Sequence, residues 1–323
     1  MKLVIALFCL GICAFAAPGP ARVPAPPVAP KEVVIDGFRL SYTVEGKGIP
    51  CLVVDDAPAM RRAVPQSLRA RFRFVFMDPR MNVPYETGYD LQRITLDTLL
   101  DDIERIRRDA GVDQILVFGH SINGLIAYEY ARKYPGHVTG VVMNGTPPFS
   151  LKRLGPIQES YWAKAASPER KEVQRKNEER TREAIAQLPP GEAMRQGYIA
   201  NAAMYWHDPA YDCAWLLEGV RWNREVWDHL FNTVLDGYDI SRQPPVHVPV
   251  LLTLGRDDYV VPFPVWDGID KTLPNLTIRI FEKSGHWAPV EEPALFDRTL
   301  CDWVDGTVLQ KKPGPPEAPP PPK

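Results

Sequence analysis

Three short stretches carry residue types able to transfer an acyl group. Gly119-His120-Ser121-Ile122-Asn123-Gly124 sets a serine among small neighbours, Gly255-Arg256-Asp257-Asp258 offers carboxylates, and Ser284-Gly285-His286-Trp287 offers an imidazole. A serine hydroxyl is a poor nucleophile at its free pKa, so a base must take its proton as it attacks. A histidine does this best when a carboxylate fixes its tautomer and stabilises the imidazolium. Each stretch also has a plainer explanation: a turn serine capping a helix, an aspartate-rich turn, a structural histidine. What joins them is their order along the chain, Ser121, then Asp258, then His286, each just after a separate predicted strand.

The elements that must position these residues follow from hydrophobic patterning. Residues 114–118 read as a buried strand running into a helix over 123–134, so Ser121 falls on the turn between them. Residues 250–254 and 276–281 are the apolar strands before the acid and the histidine. Upstream, 33–46 alternates around Asp36-Gly37, a dipeptide suited to a tight hairpin. Apolar runs at 51–54, 72–77 and 138–143 are further strands, and Leu96, Leu99, Leu100, Ile103 and Ile106 give 93–110 helical spacing. A last helix is expected over 293–304. Alternating strands and helices predict the α/β class, with a mainly parallel sheet covered by helices on both faces. The alternation stops over 150–245, where charge and tryptophan dominate and helices are expected over 168–187 and 216–234. An interruption of that length suggests a helical cap inserted into a core of 32–149 and 246–306.

Bulk properties set outer limits. The chain has 323 residues, 45% hydrophobic and 24% charged, which suits a globular enzyme, and a net charge of -2 gives no electrostatic case for nucleic acid. The start, Lys2 followed by an apolar stretch to Phe15 and a small-x-small site at Ala14-Phe15-Ala16, reads as a signal peptide over 1–16. Export to the periplasm or exterior is therefore expected, with no stable membrane span once the signal is removed; a retained anchor is the competing reading. Residues 17–31 read as a Pro/Ala-rich linker and 307–323 as a Pro-rich tail. Cys51, Cys213 and Cys301 are too widely spaced for a metal set or a disulfide framework, and each is best read as a small buried hydrophobe.

With these stretches in view, residues 32–305 resemble the α/β-hydrolase superfamily, and within it the proline iminopeptidase-like branch. GHSIN is similar to the family's nucleophile elbow, GRDD followed by Pro262 to its acid loop, and SGHW to its histidine loop. The resemblance implies Ser121 as nucleophile, Asp258 in preference to Asp257 as the acid, and His286 as the base. It implies an oxyanion hole from the backbone N–H groups of Ile122 and Ala57, no metal or organic cofactor, and a small-molecule or short-peptide ester or amide substrate. Asp78-Pro79-Arg80 resembles the family's Asp-x-Arg, whose arginine is usually structural. Two positions depart from the pattern. Asn123 stands where the elbow has glycine, which implies looser packing there. Asp55-Asp56-Ala57-Pro58 stands where the family has His-Gly-Gly-Pro, and two carboxyls beside an oxyanion oppose its charge unless paired or turned away. In the cap, Trp206, Trp215, Glu218 and Trp222 are expected to face substrate, against the plainer reading of a cap core and surface carboxylates. A carboxylate-nucleophile enzyme is disfavoured by Ser121. A degenerate hydrolase that only binds ligands is the alternative, and the two departures support it.

Overall fold

The computed structural model describes residues 29–310. The expected signal, most of the Pro/Ala-rich linker and most of the tail lie outside these residues. Eight strands form one sheet: β1 (Lys31–Ile35), β2 (Phe38–Gly46), β3 (Ile49–Val54), β4 (Phe72–Asp78), β5 (Ile115–His120), β6 (Val138–Asn144), β7 (Val250–Gly255) and β8 (Leu276–Phe281). Their order is β1-β2-β4-β3-β5-β6-β7-β8. β2 is antiparallel to both neighbours, and the other pairs are parallel. Asp36 and Gly37 both have positive φ, 49° and 78°, as a two-residue hairpin turn requires.

Every residue of β5 and β7 is buried, which is why these strands read as unbroken apolar runs. Their side chains alternate between two cores. Ile115 and Val117 enter the core beneath α2 (Leu96–Asp109) and α3 (Asn123–Lys133), while Leu116 and Phe118 enter the core shared with α1 (Ala57–Ala63) and Phe296. Between β6 and β7 the chain is helical: α4 (Leu151–Ala165), α5 (Pro168–Ala186), α6 (Pro190–Ala200), α7 (Ala202–Tyr205) and α8 (Arg224–His229). The helix expected over 216–234 begins only at Arg224. Gly219 takes φ 73°, outside the helical region, and the Asn223 N–H is drawn to Met81 O at 2.8 Å. Past β8 come α9 (Ala288–Glu291) and α10 (Pro293–Trp303), which continues as a wider helical turn to Val308. Val308 is itself buried, so ordered chain extends past 306, the expected end of the core. Among the described residues no helix is long and apolar enough to cross a membrane.

Arg80, just past β4, is almost wholly buried. Its Nε and Nη2 donate to the two carboxylate oxygens of Asp102 on α2 at 2.6 and 2.8 Å. Its guanidinium also lies over the Phe38 ring, 4.7 Å from the centroid. This bidentate pair ties the sheet to α2, matching the structural part that its motif implies. Arg80→Met would leave the buried Asp102 carboxylate without its cation. The expected loss of stability is about 3–5 kcal/mol, measurable by urea unfolding.

Candidate active site

The parallel register brings five strand ends to one edge. Val54 pairs with Gly119, His120 with Asn144, Asn144 with Thr253, and Gly255 with Phe281. The chain leaving β5 then turns sharply. Ser121 sits at φ 53°, a left-handed conformation that costs a non-glycine residue about 1–3 kcal/mol. Its N–H is held by Asn144 O at 2.8 Å, and its own C=O accepts from Gly124 N at 3.0 Å. A side chain at Gly119 would lie 2.2 Å from Asn123 O, and one at Gly124 would lie 1.9 Å from Thr146 Oγ1. The tight approach expected of the elbow's last glycine is therefore made by Gly124. Asn123 is accommodated beside it, buried.

Asp258 is fully buried past the end of β7. Its Oδ1 accepts from Val260 N and Val261 N at 2.9 and 2.7 Å, and its Oδ2 meets His286 Nδ1 at 2.6 Å. Three backbone and side-chain contacts therefore fix the carboxylate, and the carboxylate fixes the ring. The His286 backbone is held too. Its N–H donates to Tyr205 O at 2.6 Å, and its C=O accepts from Asn144 Nδ2 at 3.1 Å. Asp257 points elsewhere, to His207 Nδ1 at 2.5 Å. Ser121 and His286 flank the same Asn144–Gly145 turn, since Gly145 lies against the His286 ring. Among the described residues no hydrogen bond joins Ser121 Oγ to His286, a contact that often tightens only when substrate is bound.

Sequence reasoning missed a polar row beneath these residues. Thr253 Oγ1 donates to Asn144 Oδ1 at 2.8 Å, which orients the amide so that Nδ2 reaches His120 Nδ1 at 2.8 Å as well as His286 O. His120 thus accepts at Nδ1. Burial, and then the nearby His286, hold its pKa well below the usual histidine range, so it stays neutral. Its ring packs at 4.6 Å from that of His286 and 3.9 Å from Trp287. A buried asparagine, threonine and histidine at three strand ends is the signal that could have found this row.

The helical insertion is stitched to the loops that carry Asp258 and His286. Met204 O accepts from Tyr259 N at 3.0 Å, beside Asp258. Glu291 accepts from His207 N and from Gly285 N, both at 2.7 Å, and burial lifts its carboxyl to about 7. Of the four insertion residues expected to face substrate, only Trp222 meets the loop after β3, donating from Nε1 to Asp56 Oδ2 at 2.9 Å. Trp206 is fully buried between Tyr211 and Trp287, with ring centroids 4.4 and 6.2 Å away. It is a packing residue that seats the insertion on the histidine loop. Trp215 and Glu218 line an open groove with Glu192 and Arg195 that includes none of Ser121, Asp258 and His286.

The two expected oxyanion donors also differ. Among the described residues no acceptor meets the Ile122 N–H, which points from the start of α3. The Ala57 N–H is already taken, by Asp78 Oδ1 at 2.8 Å. Asp78 is anchored in turn by Ser41 Oγ at 2.7 Å, so the capture is built into the sheet.

The sequence matches the family described as alpha/beta hydrolase fold over residues 57–293. The chain belongs to the α/β-hydrolase family. This α/β-hydrolase is 33% identical over 272 residues to the AB hydrolase superfamily protein YclE of Bacillus subtilis, covering 84% of this chain and 96% of that protein. It is 25% identical over 229 residues to a proline iminopeptidase of Lactobacillus delbrueckii subsp. bulgaricus, covering 68% of this chain and 73% of the relative. Its fold is similar to the crystal structure of a proline iminopeptidase from Mycobacterium smegmatis, with a TM-score of 0.66 at 15% identity, covering 88% of this chain and all of that one.

The two neighbouring aspartates give a direct test of the acid. Asp258→Asn reverses the hydrogen-bond demand on His286 Nδ1, so hydrolysis should fall about 10³–10⁴-fold. Asp257→Asn removes only a contact to the half-exposed His207 and should change the rate less than tenfold, read as ester turnover by purified variants.

Proposed function

We propose that this α/β-hydrolase is an exported serine hydrolase that cleaves a small ester or amide through an acyl-enzyme on Ser121. The single observation that carries this reading is the buried Asp258–His286 pair, 2.6 Å apart, at the same sheet edge as a serine held at φ 53°. His286 takes the Ser121 proton as Oγ attacks the carbonyl carbon. Asp258 keeps the Nδ1–H of the imidazole in place and stabilises the imidazolium. The free N–H of Ile122 and the start of α3 favour the developing oxyanion. The protonated His286 then passes its proton to the leaving group, and water repeats the sequence in reverse. The sequence signal over 1–16 supports export.

Relatives named as proline iminopeptidases support an aminopeptidase reading for the substrate, and the motif itself serves esters equally well. The second reading, a ligand-binding protein that has lost catalysis, draws on one observation. Asp78 occupies the Ala57 N–H, the second donor that family resemblance supplies.

Purified mature protein treated with a fluorophosphonate should gain one adduct on Ser121. It should hydrolyse p-nitrophenyl esters, and Ser121→Ala should abolish both. Turnover of proline p-nitroanilide above that of the alanine compound is the result expected of an aminopeptidase. A chain with an intact fold and no adduct would leave the binding-protein reading standing.

A further inference from the structure

The loop after β3 has lost its backbone donors and gained buried acid. Ala57 N–H donates to Asp78, and Asp56 N–H donates to Asp55 Oδ1 at 2.7 Å. The atoms left over are carboxyl oxygens. Asp55 Oδ2 and Asp56 Oδ1 are buried, have no hydrogen-bond partner, and belong to side chains more than nine-tenths buried. Asn123, two residues past the nucleophile, turns its side chain toward Asp55, and its own Oδ1 is buried and unpartnered as well. His286 from the loop after β8 and the Asn123 amide from α3 act on Asp55, the Trp222 indole from the insertion acts on Asp56, and Asp78 from β4 acts on both. Arg61 and Arg221 act on Asp78 instead.

Two adjacent buried carboxyls without a paired cation do not both ionise, because desolvation and mutual repulsion oppose the second charge. Asp55 accepts a backbone N–H, which favours its charged form. Asp56 accepts only the Trp222 N–H, on Oδ2. The proton therefore belongs on Asp56. Burial and then the Asp55 charge push its carboxyl well above the usual range, while burial lifts Asp55 to about 7.

We propose that Asp56 is a catalytic residue kept in its neutral form, and that the O–H on its free Oδ1 donates to the oxyanion in place of the captured Ala57 N–H. This rests on Ser121 being the nucleophile. No proton leaves Asp56 in the step. Oγ of Ser121 bonds to the carbonyl carbon, the C=O π pair moves to oxygen, the serine proton goes to His286, and Asp56 only hydrogen-bonds the new negative oxygen. A neutral carboxyl in an apolar site is known to serve oxyanions in this way. The protonated member of an acidic pair that would otherwise repel an oxyanion becomes its second donor.

The test is the second-order rate at which a neutral fluorophosphonate labels Ser121 between pH 5 and 9.5. The serine oxygen bonds to phosphorus, fluoride leaves, and the phosphonyl oxygen takes up the same negative charge. In wild type the rate should fall at least tenfold once the pair ionises. Asp56→Asn donates an N–H at every pH. It should label within tenfold of wild type near pH 7 and lose the alkaline fall. Asp56→Leu cannot donate and should label about 100-fold more slowly at every pH. If the leucine variant does not fold, the wild-type and asparagine profiles decide alone. Asp56→Leu labelling within tenfold of wild type at pH 7, or Asp56→Asn keeping the wild-type alkaline fall, would overturn the proposal while leaving Ser121 as nucleophile. So would a probe bearing an ammonium group that labels wild type tenfold faster than its neutral counterpart at pH 8, with the preference lost in Asp56→Asn, since that pair would be ionised and binding a cation. Absence of labelling at any pH would overturn the nucleophile assignment itself.

Discussion

The candidate site depends on the register of its parallel strands. Because β3, β5, β6, β7 and β8 end together, the loops that follow them open onto one edge, where α/β folds place their ligands. The register also sets His120, Asn144 and Thr253 side by side across three strands. Their hydrogen bonds convert that alignment into a fixed orientation for the His286 backbone. A slip of one residue in any pair would send these polar groups to the opposite face and break the row.

Local strain and burial meet at the same edge. Ser121 sits in a costly left-handed turn, and its neighbours over-determine it: Asn144 O holds its N–H, while Gly119 and Gly124 allow strand and helix to close around it. Asp258 and His286 are both sealed from solvent, so their contact acts at low dielectric. The insertion contributes to this sealing through the backbone contacts of residues 204–207 and the stacked Trp206. Its aromatic density is therefore in large part structural, and Trp222 is its contact with the loop after β3.

The fold was legible in the sequence wherever one strand or helix writes its own pattern. The buried runs of β5 and β7, the hairpin at Asp36-Gly37 and the amphipathic α2 each needed only local information. The positions of Ser121, Asp258 and His286 were legible for the same reason, since each follows a recognisable strand. What escaped was decided between distant segments. Asp78 captures Ala57 from 21 residues away, and Trp222 reaches Asp56 across 166. The role of Asn144 depends on strand pairing that no window of sequence contains. The start of α8 was misplaced because Gly219 and the tie from Asn223 to Met81 outweighed a helical pattern.

In the proposed mechanism Ser121 forms a covalent acyl intermediate. This is tested most directly by quenching the protein in acid during turnover of a slow ester and measuring its intact mass and peptides. One added acyl group is expected on the peptide containing Ser121, absent from Ser121→Ala. Turnover with no added mass, or an acyl group on another residue, would contradict it.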